Sequence, residues 1–239
     1  MATPPSIKRV LLKVSGEALM GEGDFGLDMA VLDRIAKEVV AVSKRGIEVA
    51  IVVGGGNIFR GVAGAARGMD RATADHMGML ATVMNSVALA GAVDKAGGRG
   101  RALSAIPMEA ICETYTRRCA LDRLAVGDVI VCAAGTGNPF FTTDTAAALR
   151  AAELDCDALL KGTQVDGVYD ADPKTNPDAK RFEQLTFADA LARDLKVMDT
   201  AAFALARDAA IPIIVFNIHE TGAFGEVLEG RGRATLVSD

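Results

Sequence analysis

Two lysines in this 239-residue chain stand at apolar runs: Lys13 inside Val10–Val14 and Lys161 directly after Ala158–Leu160. An ammonium in such a place is costly unless it meets water or an anion. Beside Lys13, Ser15 and Gly16 add a hydroxyl and an unobstructed backbone N–H. A second apolar run, Val49–Val53, ends in Gly54-Gly55-Gly56-Asn57, and Arg60 follows three residues on. Consecutive glycines let an anion approach several N–H groups, and an arginine fork adds charged donors to the same place. These types and spacings point to phosphate binding.

Two further loops add chemistry of other kinds. Gly135-Thr136-Gly137-Asn138-Pro139-Phe140-Phe141-Thr142-Thr143-Asp144 combines glycines, a proline, paired aromatics, three hydroxyls and a carboxylate. Thr142 or Thr143 suits the cap of a following helix, but capping leaves Phe140 and Phe141 beside so many polar groups without a purpose. Aromatics with hydroxyls suit a pocket for a planar base with amide-like edges. The loop from Lys161 to Pro173 carries Thr163, Tyr169, Asp166, Asp170 and Asp172. Asp166-Gly167 and Asp172-Pro173 are turn-formers, and Tyr169 suits packing against an adenine. Gly21-Glu22-Gly23-Asp24-Phe25-Gly26 matches G-x-G-x-x-G but does not join a strand to a helix directly, and no Gly-Lys dipeptide exists for a Walker A loop.

The elements that must position these loops alternate. Val10–Val14, Val49–Val53, Arg101–Leu103, Val129–Ala133, Ala158–Leu160, Ile213–Phe216 and Thr235–Val237 read as strands, most of them apolar on both faces. Helical patterns run over Met29–Lys44, Ala72–Ala96, Arg117–Ala125, Thr143–Glu153, Thr186–Leu191, Thr200–Ala209 and Ala223–Leu228. This predicts a single α/β domain over residues 1–239, a three-layer αβα sandwich around a mainly parallel sheet. Ligands in such sheets gather at the carboxyl ends of the strands, where these loops lie.

Bulk properties set the bounds. Half the residues are apolar, 5% are aromatic and none is Trp, which favours an aliphatic core. A net charge of −5 argues against nucleic acid as the main partner. Cys112, Cys119, Cys132 and Cys156 form no C-x-x-C pair, and His76 and His219 are too few for a structural zinc site. Reduced thiols in the cytosol are expected, with Cys132 and Cys156 as small buried hydrophobes. Met1–Ser6 has no apolar signal core and no apolar run reaches membrane-spanning length, so a soluble protein without a membrane partner is expected. Asp75 and His76 suit the start of a long helix, and Met77, Met79 and Met84 read as core filling.

Taken in order, the stretches Lys13–Leu19, Val53–Arg60, Asp75–Asn85, Ser104–Pro107, Gly135–Asp144, Val165–Tyr169 and Leu195–Asp199 resemble the bacterial uridylate kinases of the amino-acid-kinase superfamily. Each motif is moderately specific, and the ordered set, which covers nearly the whole chain, is very specific. The resemblance implies the amino-acid-kinase fold, with an acceptor side mainly in 1–155 and an ATP side mainly in 156–239. It implies γ-phosphoryl transfer from ATP, with Mg²⁺ carried by the ATP, to UMP in pyrimidine nucleotide biosynthesis. Lys13, Val14, Ser15, Gly16, Gly56 and Arg60 would form the ATP phosphate cradle, and Thr163, Tyr169 and Asp172 would contact the ATP nucleoside. Gly55, Asp75 and the loop Thr136, Gly137, Asn138, Pro139, Phe140, Phe141, Thr142 and Thr143 would hold UMP, with Asp75 meeting the ribose. Lys13 and Lys161 would flank the transferring group, Arg60 would add charge, and Asp144 would orient a lysine or hold a Mg²⁺-bound water.

The resemblance also implies a cytoplasmic homohexamer activated by GTP and inhibited by UTP, with Gly21, Glu22, Gly23, Asp24, Phe25, Gly26 and Arg101 tied to the GTP response. The chain departs from that pattern at Ala90 and Asp94, where a basic residue and a histidine occur, which counts against strong activation. A non-catalytic nucleotide-binding storage or sensor protein on the same scaffold is the competing class. It would show damaged phosphate loops or His-rich metal segments, and neither is present.

Overall fold

The structure is a computed structural model that describes residues 7–60, 68–195 and 197–239. The expectation for Met1–Ser6, and Lys196 within the Leu195–Asp199 motif, lie outside the described residues. Among the described residues one nine-stranded sheet runs in the order β4-β3-β5-β2-β1-β6-β8-β9-β7. Its strands are β1 (Arg9–Val14), β2 (Glu48–Val53), β3 (Gly100–Ser104), β4 (Glu113–Thr114), β5 (Val129–Ala133), β6 (Ala158–Thr163), β7 (Gln184–Leu185), β8 (Ile213–Asn217) and β9 (Ala234–Val237). Every pairing is parallel except β8 with β9. The seven expected strands are all present. The two-residue edge strands β4 and β7 carry no apolar run and were not anticipated.

Among the described residues the α-helices are α1 (Met29–Ser43), α2 (Arg71–Lys95), α3 (Arg117–Ala125), α4 (Thr143–Glu153), α5 (Phe187–Ala192), α6 (Thr200–Asp208) and α7 (Ala223–Leu228). Their starts are set by side-chain caps: Asp28, Asp70, Thr116, Thr142, Thr186 and Asp199 each accept an N–H from the following turn. Strand residues alternate between two cores, as a period of two requires. Val10, Leu12, Val14, Ile51 and Val53 pack under α1, α2 and α7. Leu11, Ala50, Val52, Ile130 and Leu159 pack under α3, α4 and α6.

α2 bears on two expectations. It is long and apolar enough to cross a bilayer by length and composition alone, with a window of mean hydropathy 1.3, but half of that window is buried inside the protein. Its buried Thr82 and Asn85 bond to loops of the sheet, so it is a core helix. Of the three methionines read as core filling, only Met79 is buried; Met77 and Met84 stand 40% and 58% exposed on the outer face.

Leaving β1, the chain builds the sheet in one direction through β2, β3, β4 and β5; from β6 onward it builds in the other. The β1–β6 boundary is therefore the point at which strand order reverses, where open α/β sheets place their ligands.

Candidate active site

Lys13 and Lys161 are register partners across that boundary, so both side chains leave the same face at the strand spacing of about 4.8 Å. Two ammonium groups this close need an anion between them. Asp144, in the first turn of α4, supplies it: Oδ1 lies 2.6 Å from Lys13 Nζ and Oδ2 lies 3.0 Å from Lys161 Nζ. Lys161 Nζ also donates to the Val197 carbonyl at 2.5 Å. Lys13 is only 7% exposed. Burial would raise the Asp144 carboxyl, but the two lysines outweigh it and hold the group below the usual carboxylate range. Burial lowers the Lys161 ammonium below the ordinary lysine value, against the pull of Asp144. The cluster thus keeps two cations around one carboxylate, with a net positive charge facing the strand ends.

The loops after β1 and β2 press against each other. A Cβ on Gly16 would lie 2.6 Å from Asn57 Oδ1 and 2.7 Å from Gly56 N. One on Gly55 would lie 2.8 Å from the Gly78 carbonyl of α2, and one on Gly54 would lie 2.8 Å from Gly16 N. Three of the four glycines are therefore required by backbone packing. At Gly56 alone a Cβ would make only ordinary van der Waals contact, with Arg60 Nε 3.7 Å away. Gly54 and Gly55 thus let the loops pack this closely, while Gly56 lines the cleft described below without being needed for that packing. Arg60 is held by Glu17 and by the Gly56 carbonyl at 3.3 Å. Ser15 caps the 3-10 turn Gly16–Leu19, donated to by Ala18 N at 3.3 Å. Val14 is fully buried, which leaves its backbone as the part able to meet a ligand.

Asn57 and Asn85, which belong to the stretches Val53–Arg60 and Asp75–Asn85, fix this loop. Both are buried, and their side-chain amides bond each other reciprocally at 3.1 and 2.6 Å. Asn85 Nδ2 also donates to the Gly54 carbonyl at 2.6 Å, and Asn57 Nδ2 to the Gly26 carbonyl at 2.8 Å. The segment Gly21–Gly26 is thereby tied to the loop Gly54–Asn57, while Phe25 is 72% exposed.

Besides a cleft lined by Asp144 and Lys161 themselves, two clefts adjoin the lysine cluster, one through Lys161 and one through Thr143, the neighbour of Asp144. One, of about 460 Å³, includes Lys161, Thr163, Tyr169, Asp172 and Val215 in its lining, which brings together the residues expected around an ATP nucleoside. Tyr169 donates its hydroxyl to Asp166 at 2.5 Å. The other, of about 340 Å³, includes Gly55, Gly56, Arg60, Asp75, Thr136, Asn138, Phe141, Thr142 and Thr143. Gly137, Pro139 and Phe140 do not line it. Phe140 is 65% exposed, with the guanidinium of the lining residue Arg71 5.8 Å from its ring centre, so of the pair only Phe141 lines the cleft. Asp75 accepts the Phe140 N–H at 2.8 Å and both its oxygens receive Arg71 Nε. Thr142 caps α4 and donates to Asp199, which also accepts from Thr145 at 3.0 Å.

Arg101 lies away from both clefts. With Arg99 and Arg123 it surrounds the buried Asp128, at 3.6, 2.8 and 3.8 Å respectively. Asp94 accepts the Gly100 N–H at 2.7 Å. Among the described residues no three His, Cys, Asp or Glu side chains converge as a metal-binding group.

The profile of the Amino acid kinase family matches residues 8–217. The chain is 59% identical over 239 residues to a protein of Brucella anthropi named uridylate kinase, and 57% identical to one of that name from Paramagnetospirillum magneticum, each covered in full by the alignment. Among solved structures, a UMP kinase from Ureaplasma parvum superposes with a TM-score of 0.93 at 39% identity, covering 98% of this chain and 99% of that one. A UMP kinase from Bacillus anthracis gives 0.93 at 40%, covering 98% and 97%.

Proposed function

The chain belongs to the amino acid kinase family, and from that premise we infer that it is a UMP kinase, moving the γ-phosphoryl group of ATP to UMP to give UDP and ADP. The observation that carries this reading is the Lys13–Asp144–Lys161 cluster at the strand-order reversal, between a cleft for each nucleotide. Its full-length likeness to uridylate kinases sets the acceptor. No feature favours a storage or sensor role.

The chemistry follows from charge. UMP's phosphate is already largely ionised at neutral pH, so attack on the γ-phosphorus needs alignment and charge neutralisation more than a base. Lys13 and Lys161 neutralise charge developing on the transferring group, at positions Asp144 has fixed beforehand. With Asp144 locked between two lysines, its role is to orient them. Gly56 and Arg60 hold ATP phosphate oxygens, and Lys13, Val14, Ser15 and Gly16 frame the same site. Thr163, Tyr169 and Asp172 meet the ATP nucleoside. Gly55, Asp75 and the loop Thr136–Thr143 receive UMP, with strands β1–β5 forming the acceptor side and β6–β9 the ATP side. Mg²⁺ enters as part of the ATP substrate, where it offsets phosphate charge.

The same reading places the enzyme in pyrimidine nucleotide biosynthesis in the cytoplasm and makes it a homohexamer. Met77, Leu80, Met84 and Val87 form an exposed apolar stripe at helical spacing along α2, which supports self-association. A GTP response through Gly21–Gly26 and Arg101, and inhibition by UTP, belong to the same reading. The hold of Asp128 on Arg101 and the bond from Gly100 N–H to Asp94 favour a weak GTP effect. The test is a coupled assay of ADP formation with ATP and Mg²⁺ across UMP, CMP, dUMP, AMP and GMP, with and without GTP. UMP is expected to lead by a wide margin; preference for a purine monophosphate would sink the reading.

A further inference from the structure

The loop that leaves β5 starts in a strained conformation. Ala134 has φ 60°, Gly135 58°, Gly137 82° and Phe140 71°. A residue with a side chain in this left-handed region costs about 1–2 kcal/mol, and two of the four carry one. Such strain persists only where the surroundings over-determine it, and it collects at functional sites. Four anchors do so here. Asp75 accepts Phe140 N, and Asp199 accepts the Thr142 hydroxyl. The remaining two lie at the loop's first turn and come from Thr82, which also borders the 340 Å³ cleft, and Arg150, which lines neither cleft.

Thr82, buried on α2, donates its hydroxyl to the Met79 carbonyl at 2.7 Å, which leaves a lone pair to accept Ala134 N at 2.9 Å. Arg150, 5% exposed on α4, donates through Nη2 to the Gly135 carbonyl at 3.2 Å. Its charge is met by Glu153 Oε2 at 2.6 Å, its plane lies 3.9 Å from the Tyr115 ring centre, and Tyr115 donates to the same Glu153 oxygen at 2.7 Å. Buried guanidinium groups are tolerated when paired and hydrogen-bonded. Arg150 Nε has no partner, so local pairing does not account for the whole group. The helix that carries Arg150 also carries Asp144, so one rigid element fixes both the loop's entry and the lysine cluster.

We propose that Thr82 and Arg150 are positioning residues that hold the strained first turn of the loop Gly135–Thr143 and thereby set how tightly UMP is bound and how well it is told from CMP. This rests on the assignment of that loop to UMP. Neither residue would touch the reacting atoms, and the ATP cleft shares no lining residue with this turn.

The experiment is steady-state kinetics of the full chain and of Thr82→Val, Thr82→Ser, Arg150→Met and Arg150→Lys, with UMP, CMP and ATP each varied. Loss of one hydrogen bond predicts a rise in KM for UMP of about 5- to 10-fold for Thr82→Val and Arg150→Met. The UMP-over-CMP ratio of kcat/KM is expected to fall with it, while KM for ATP stays within about 2-fold. Thr82→Ser, which keeps the hydroxyl, should restore the UMP values. If Thr82→Val or Arg150→Met fails to fold, Arg150→Lys decides, because a lysine keeps the charge but lacks the fork. Equal rises for ATP and UMP, or unchanged UMP values in folded variants, overturn the proposal. A wild-type chain inactive on UMP overturns the functional reading and this inference together, whereas an active wild type with unaffected variants overturns the inference alone.

Discussion

Asp144→Asn would keep the shape of the cluster and remove its one negative charge. Lys13 and Lys161 would then face each other as register partners with no anion between them. The Asp144 side chain is 15% exposed and those of Lys13 and Lys161 are 9% and 16% exposed, so water screens little of the change. Breaking a buried pair by removing one partner costs about 3–5 kcal/mol, and at this chain length each kcal/mol lowers Tm by about 2–4 °C. Lys13→Met is the informative control. It removes one cation of two and leaves Asp144 paired with Lys161, so its cost is expected to be about half as large or less. Urea denaturation read by circular dichroism would give both values, with unchanged slopes confirming that the midpoints report stability. Both variants should lose turnover, yet only Asp144→Asn should lose much stability. Equal destabilisation by the two, or a loss below about 1 kcal/mol for Asp144→Asn as for an exposed pair, would refute the charge balance described for this site.

Further expectations follow from the same geometry. Gly55→Ala should destabilise by about 1–3 kcal/mol in the same denaturation, because its Cβ would meet the Gly78 carbonyl at 2.8 Å. Gly56→Ala should fold normally but raise KM for ATP; the reverse pattern would contradict the division of labour between them. Asn85→Ala should cost about 1–3 kcal/mol, since it leaves buried polar groups of Asn57 and Gly54 unmatched, and a neutral effect would remove the amide pair from its supporting role. The alkaline limb of kcat/KM for ATP should fall below pH 10.5, because burial lowers the Lys161 ammonium from that value, and in Asp144→Asn it should move lower still. The stability contribution of Lys161 runs the opposite way. A lysine whose folded pKa is depressed opposes folding while charged, so this contribution improves as pH rises through the window below 10.5. An alkaline limb at or above 10.5 would contradict the burial argument.

The central strands were legible because each is apolar on both faces, and a continuous Val/Ile run between helical patterns has few other meanings. β4 and β7 were not, since two residues at a sheet edge bury too little to leave a pattern. The lysines were visible as misplaced charges, and Asp144 as a carboxylate at a helix start. That the three meet depends on the parallel register of β1 with β6, which no local pattern encodes. The glycines after β2 were found for a reason only partly right, because a glycine needed for packing and one needed for a ligand look alike in sequence. Thr82, Asn85 and Arg150 look like ordinary helix residues; their work appears only when the helix is docked on the sheet. Met77 and Met84 were misread for a related reason: apolar residues along a long helix do not announce which face stays uncovered.

The most direct test of the account is single-turnover conversion of UMP to UDP by the wild type and by Lys13→Ala, with UMP binding measured in parallel by calorimetry. The wild type should form UDP rapidly, Lys13→Ala should lose orders of magnitude in rate, and UMP binding should still be measurable in that variant. Turnover by Lys13→Ala near the wild-type rate would contradict the account.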